Sequence, residues 1–231
     1  MDLTIIILTT DGREKLLRRA LKYYTKLNCR IIIVDGGESK KSFKTFSKVD
    51  YYFLPSISFH KRLLFALKKS KTNYVINSQD DDFINLFLIR KGIKILNKHR
   101  KIAWVGGNQI YFKAFFGLYF LEKIQNNFVT NQNFFSNNII NRVLFFFEYQ
   151  PQLYASLFRK KALISAVEDF LRTVGKKKYQ KLVELPYSLF MSYRGCYHHF
   201  DDIWQFRDGS MNFNLNNDYV GFLSRLDTSL P

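Results

Sequence analysis

The opening residues constrain the fold most. Leu3–Leu8 is an isoleucine-rich apolar run closed by Thr9-Thr10-Asp11-Gly12. Such a run leaves no polar face for solvent, so it predicts a strand buried on both sides, the kind found in parallel sheets. The pattern recurs. Ile31–Val34, the shorter Tyr51–Leu54, Tyr74–Asn77 and Ile102–Val105 all read as strands, the last ending in Gly106-Gly107. Helical spacing fills the gaps. Arg13–Leu27 places Leu16, Leu17, Ala20, Leu21 and Tyr24 on one side, and Phe59–Lys69 sets Leu63, Leu64 and Leu67 against lysines; Phe87–Asn97 predicts a third helix. Strand and helix in alternation imply an α/β fold: a mostly parallel sheet flanked by helices.

Ligands of such sheets sit beyond the carboxyl ends of the strands. Thr9-Thr10-Asp11, Asp35-Gly36-Gly37 and Asp80-Asp81-Asp82 all fall at those ends, so three distant polar clusters are expected to meet in one crevice. After residue 110 the pattern loosens. Phe115–Ile140 mixes aromatics with asparagines and has no period, which suits a loop or a lid. Phe145–Phe158 reads as partly extended and Arg159–Phe170 as helical. Tyr179–Tyr193 is a helix either interrupted at Pro186 or carrying it in a first turn. There is no repeat and no Pro-, Gly- or Ser-rich linker, so 1–231 reads as a single domain.

Thirty-six Lys and Arg against 19 Asp and Glu leave a formal charge of +17, which favours anionic partners: nucleic acid, lipid headgroups or acidic glycans. No zinc-finger spacing or basic zipper accompanies the charge, and no nucleic-acid partner is expected. The 24 Phe and 14 Tyr serve a phenylalanine-rich core, or else rings exposed to a sugar or a membrane surface. Two cysteines without metal spacing, Cys29 and Cys196, fit a reduced, cytoplasmic setting better than a disulfide framework. No stretch of about 18 apolar residues is present, so the expectation is a soluble or surface-bound protein.

The chemistry concentrates at the strand ends. Adjacent carboxylates repel, so Asp80–Asp82 is costly without a cation; a hard divalent ion, Mn²⁺ or Mg²⁺, would answer that, as would plain solvation of an acidic turn. Asp35 can accept hydrogen bonds from a base or ribose while Gly36 and Gly37 let the backbone approach closely; an ordinary turn is the alternative. Thr10 and Arg13 suit a helix cap and a solvated cation, or base and phosphate contacts. His198-His199 with Asp201-Asp202 forms a further polar cluster. Adjacent histidines on a strand cannot both face one site, so solvated or hydrogen-bonded imidazoles are the simpler reading.

Taken in order, these segments resemble the bacterial family-2-type glycosyltransferases of the GT-A fold. Thr4–Arg13 is similar to that family's first strand and its Pro-Thr-Tyr-Asn-Arg turn, and Leu16–Leu21 to the Leu-Arg-Arg-Ala-Leu helix start. Ile31–Gly37 is similar to Ile-Val-Val-Asp-Asp-Gly-Ser, and Thr72–Asp82 to the strand leading into Asp-x-Asp. Thr9 replaces the usual proline, Asp11-Gly12 the usual Tyr-Asn, and Asp35 stands without a second aspartate. The resemblance implies a GT-A-like sheet whose residues 1–110 bind a nucleoside-diphosphate sugar and whose residues 111–231 bind the acceptor. It further implies donor contacts from Thr10, Arg13, Asp35 and Asp80, and a metal on Asp80 and Asp82. Glu184, where the family has Glu-Asp, would be the catalytic base, and Arg207 would reach the leaving diphosphate.

The expected reaction is metal-dependent sugar transfer with inversion, onto a hydroxyl of a glycan or lipid-linked glycan precursor. The positive charge suits work on an anionic membrane surface at the inner leaflet. A sugar nucleotidyltransferase and a basic nucleic-acid-binding module are the rival readings. The first lacks its Gly-x-Gly-x-x-Gly-type loop, and the second predicts steep salt dependence without nucleotide or metal.

Overall fold

The computed structural model describes residues 1–43, 46–115, 118–125, 135–149, 155–173 and 184–208; for 113–115, 118–125, 149 and 184–186 it describes the backbone alone. These residues build one mixed, mostly parallel sheet. Its first half is β1 (Leu3–Thr9), β2 (Arg30–Asp35), β3 (Val49–Phe53) and β4 (Tyr74–Ser78), all parallel, in the order β3-β2-β1-β4. Beyond β4 lies the short antiparallel β8 (Leu157–Arg159). Next come β6 (Ile102–Phe115), the parallel β9 (Cys196–Asp208) and an antiparallel edge, β5 (Asp82–Ile84). The far end of β6 also pairs with β7 (Leu118–Gln125).

Alternate residues of the first strand feed two cores. Leu3, Ile5 and Ile7 pack beneath α1 (Glu14–Tyr24) and α3 (Leu86–Lys98) with Leu17, Leu21, Tyr24, Leu88 and Leu96. Ile6 faces the other way. It joins Leu63 and Leu67 of α2 (Phe59–Lys69), Phe145 of α4 (Ile139–Tyr149), Phe170 of α5 (Lys160–Thr173) and Tyr187 of α6 (Glu184–Arg194). Full burial of each such side chain is worth about 1.5–3 kcal/mol, which is why the apolar runs become central strands. Asn85 caps α3 by accepting from the backbone N–H groups of Phe87 and Leu88.

Three sequence expectations need correction. Phe145–Phe158 reads as partly extended, but its first part belongs to helix α4, and among the described residues the strand there is Leu157–Arg159. The helix is chosen by packing, since Phe145 and Phe146 bury one side of it. The strand at Ile102 does not stop at Gly106-Gly107 but runs on to Phe115. Gly107 stays inside it because β9 crosses closely: a Cβ there would lie 2.8 Å from the Phe200 carbonyl oxygen and from Trp204 Cβ. Pro186 falls in the first turn of α6, where its missing N–H costs nothing. Phe115–Ile140, read as a loop or lid, instead holds strand β7 at Leu118–Gln125, paired along β6, and the start of α4; its residues 116–117 and 126–134 lie outside the described residues, as do 174–183 ahead of α6.

Candidate functional site

The three polar clusters do meet. Parallel register sets Thr9 opposite Asp35, and Ile7 opposite Ser78, so the carboxyl ends of β1, β2 and β4 open together. Thr9 is the hub. Its hydroxyl donates to Asp80 (2.8 Å), while its carbonyl accepts from the Gly36 N–H (3.0 Å) and the Arg62 guanidinium (2.8 Å). Gly36 leaves room for that guanidinium, since a Cβ would stand 2.3 Å from it.

The acidic turn is closed by arginines. Arg13 Nε donates to both oxygens of Asp80 (2.7 and 2.8 Å), and its Nη2 bridges Asp80 and Asp81, at 2.7 Å from the latter. Arg19 contacts the Asp81 carbonyl (3.4 Å) and pairs with Asp208 (2.8 Å). Asp82 turns the other way, toward β9: it accepts from Gln205 Nε2 (2.5 Å) and lies 3.6 Å from Arg207 Nε. Burial pushes its carboxyl up to about 7, against the pull of Arg207 and the Gln205 hydrogen bond. Arg207 also reaches Gln79 Oε1 and the Tyr111 hydroxyl, each at 3.4 Å.

Asp35 is fully buried yet stays charged. Burial raises its carboxyl, but Lys41 (2.8 Å), the Gly37 N–H (2.9 Å) and the Tyr51 hydroxyl (2.9 Å) all donate to it and hold it below its ordinary value. Lys41 also donates to the carbonyl of Thr10 (3.2 Å), whose own side chain is exposed at the mouth of the crevice.

Thr10, Arg13, Asp35, Asp80, Asp82 and Arg207 thus lie around one region. Glu184 opens α6, and its side chain lies outside the described residues. The helix itself is anchored near the crevice: Tyr187 hydrogen-bonds His60 in the first turn of α2, two residues before the Arg62 that touches Thr9. Of the histidine pair, His199 is hydrogen-bonded within the sheet. His199 contacts Asn108 (3.1 Å) and Tyr197 (3.3 Å), and burial holds both imidazoles below their ordinary value.

Asp80 and Asp82 do not converge on one point. Asp80 is taken by Arg13 and Thr9, Asp82 by Gln205 and Arg207, and among the described residues no three His, Cys, Asp or Glu side chains are grouped to hold a metal. As they stand, these carboxylates do not fit a resident divalent ion. Sequence reasoning missed Lys41, Arg62, Gln205 and Arg19. Gln205 and Arg207 alternate along β9, but only its antiparallel pairing with β5 aims them at Asp82.

No family model matches the chain, and no curated protein does. Solved structures do. A crystal structure of S. aureus TarS 1-349 superimposes with a TM-score of 0.61 at 13% identity, covering 90% of this chain and 60% of that one. The same protein in complex with UDP-GlcNAc gives a TM-score of 0.58 at 14% identity, over 94% and 61% of the two chains. Its complex with UDP gives 0.58 at 14% identity, over 91% and 61%. The chain thus spans about three fifths of the length of these TarS structures, and the likeness shows a GT-A-like fold. Among the described residues no helix is long and apolar enough to cross a membrane.

Proposed function

We propose that the protein is a glycosyltransferase that moves a sugar from a nucleoside-diphosphate sugar to a hydroxyl of a glycan precursor, with inversion. The observation that carries this is the meeting of Thr9, Arg13, Asp35 and Asp80 at the carboxyl ends of β1, β2 and β4, within a fold like that of a protein crystallised with UDP-GlcNAc. Residues 1–110 hold the donor and 111–231 the acceptor. Asp35, ionised at pH 7, accepts hydrogen bonds from base or ribose, with Thr10 beside it. Asp80 faces the ribose.

Arg13 and Arg207 meet the diphosphate, the group on which charge grows as it departs. In the transfer, Glu184 takes the proton of the acceptor hydroxyl while its oxygen attacks the anomeric carbon. The bond to the diphosphate breaks in the same displacement, and the electron pair leaves with the nucleoside diphosphate. The anchoring of α6 through Tyr187 and His60 supports a place for Glu184 at the acceptor side.

Thermal-shift titration with UDP-GlcNAc and other nucleoside-diphosphate sugars, each with and without Mn²⁺, tests the reading, followed by assay of donor hydrolysis and transfer. A melting temperature that rises with donor concentration is expected. No shift and no turnover with any such donor would refute the proposal. A shift that appears only with Mn²⁺ would restore the metal set expected from the sequence. Tight, steeply salt-dependent binding of nucleic acid in place of donor would favour the binding-module reading.

A further inference from the structure

We infer that the outer face of helix α4, with the basic run Lys98–Lys101 beside it, is a docking surface for an anionic membrane. Ile140, Leu144 and Phe147 follow at spacings of four and three, so they form one stripe along the helix. They are 66%, 59% and 54% exposed, and Ile139 and Phe135 extend the patch. The opposite side of α4 is fixed. Phe145 and Phe146 are buried, and the buried Arg142 donates to the carbonyls of Ser192 (2.7 Å) and Ser136 (2.8 Å). The helix is therefore held with its apolar stripe turned outward. Contiguous exposure of large apolar side chains on this scale marks an interaction surface.

The neighbouring charge selects the partner. Lys98, His99, Arg100 and Lys101 are all exposed, and the Phe135 ring lies 6.4 Å from the His99 ring. Cys196 ties the two segments together: its N–H donates to the Lys101 carbonyl (2.9 Å) and its thiol to the Ser136 carbonyl (3.5 Å). Glu148 is the one acidic residue in α4. An apolar stripe beside a basic run suits a bilayer boundary, with side chains entering among the acyl chains and cations meeting lipid phosphates. A second copy fits less well, because a chain of charge +17 repels its like. The surface is separate from the donor site, so the two proposals stand or fall independently.

Leu144→Trp supplies a reporter, because the native Trp104 and Trp204 are both buried. With vesicles of mixed phosphatidylglycerol and phosphatidylcholine at low salt, we expect co-sedimentation, a blue-shifted emission from the introduced indole and its quenching by brominated acyl chains, all fading as salt rises. Pure phosphatidylcholine should bind far less. The double variant Ile140→Asp, Leu144→Asp should lower partitioning at least about tenfold while leaving the melting temperature and donor-induced shift unchanged. Should it fail to fold, Lys98→Glu with Lys101→Glu, both at exposed positions, must give the same direction of loss. Unchanged partitioning in the variants, equal binding to neutral vesicles, no vesicle binding, or a dimer that the double variant splits would each overturn the inference.

Discussion

A single guanidinium, that of Arg13, is shared by the carboxylates of Asp80 and Asp81, donating at 2.7 Å to each. Asp80 is nearly inaccessible, whereas Arg13 keeps about a quarter of its side-chain surface. Removing the cation would strand buried negative charge. Arg13→Gln is expected to cost about 3 kcal/mol in urea unfolding, the lower end of the range for breaking a buried pair, because Arg13 is partly solvated. Arg13→Lys should recover only part of the loss, since one ammonium cannot reproduce the planar fork.

Asp35→Asn tests donor recognition. The charged carboxylate is held by Lys41, Tyr51 and the Gly37 N–H, and an amide would lose the ion pair and present a donor where acceptors are needed. Donor affinity, read by calorimetry, is expected to fall about 10- to 100-fold, the worth of one hydrogen bond to a charged group. Unchanged affinity would move base recognition elsewhere.

Glu184→Gln separates binding from chemistry. The amide keeps size and hydrogen bonding but cannot accept the acceptor's proton. The transfer rate should drop by about 10²–10⁴ with donor affinity unchanged, and the acidic limb of the pH–rate profile should vanish. Normal turnover with that limb intact would pass the role to Asp202 or Asp201.

His60 should set an acid limit on stability. Burial among Phe170 and Tyr187 pushes its imidazole down to about 4 from an ordinary 6.5. Between those values the unfolded chain binds a proton that the folded chain does not, so stability present above pH 6.5 is lost as pH falls toward 4. The loss is expected to approach about 3 kcal/mol, at roughly 1.36 kcal/mol per pKa unit. His60→Gln, which still offers Tyr187 a hydrogen-bond partner, should flatten that slope in denaturant melts compared at about pH 7 and about pH 4.5. An unchanged slope would show that other groups, such as His198, carry it.

What could be read from the sequence was local. The runs at Leu3, Ile31 and Tyr74 have a burial pattern that only central strands satisfy, and the polar residues closing them sit at carboxyl ends by chain direction alone. The meeting of Thr9, Asp35 and Asp80 follows from parallel pairing and was legible for that reason. The run Phe145–Phe158 was not, because consecutive aromatics have no period and only packing against the second core turns Phe145 inward on a helix, with Phe146 buried beside it. Nor could sequence pair Asp82 with Gln205 and Arg207, far along the chain, because their facing depends on β9 folding back along β5. Asp80 and Asp82 look like one metal set when written side by side. Alternate positions on neighbouring segments meet different partners once β5 begins at Asp82, and that divergence is decided by tertiary pairing alone.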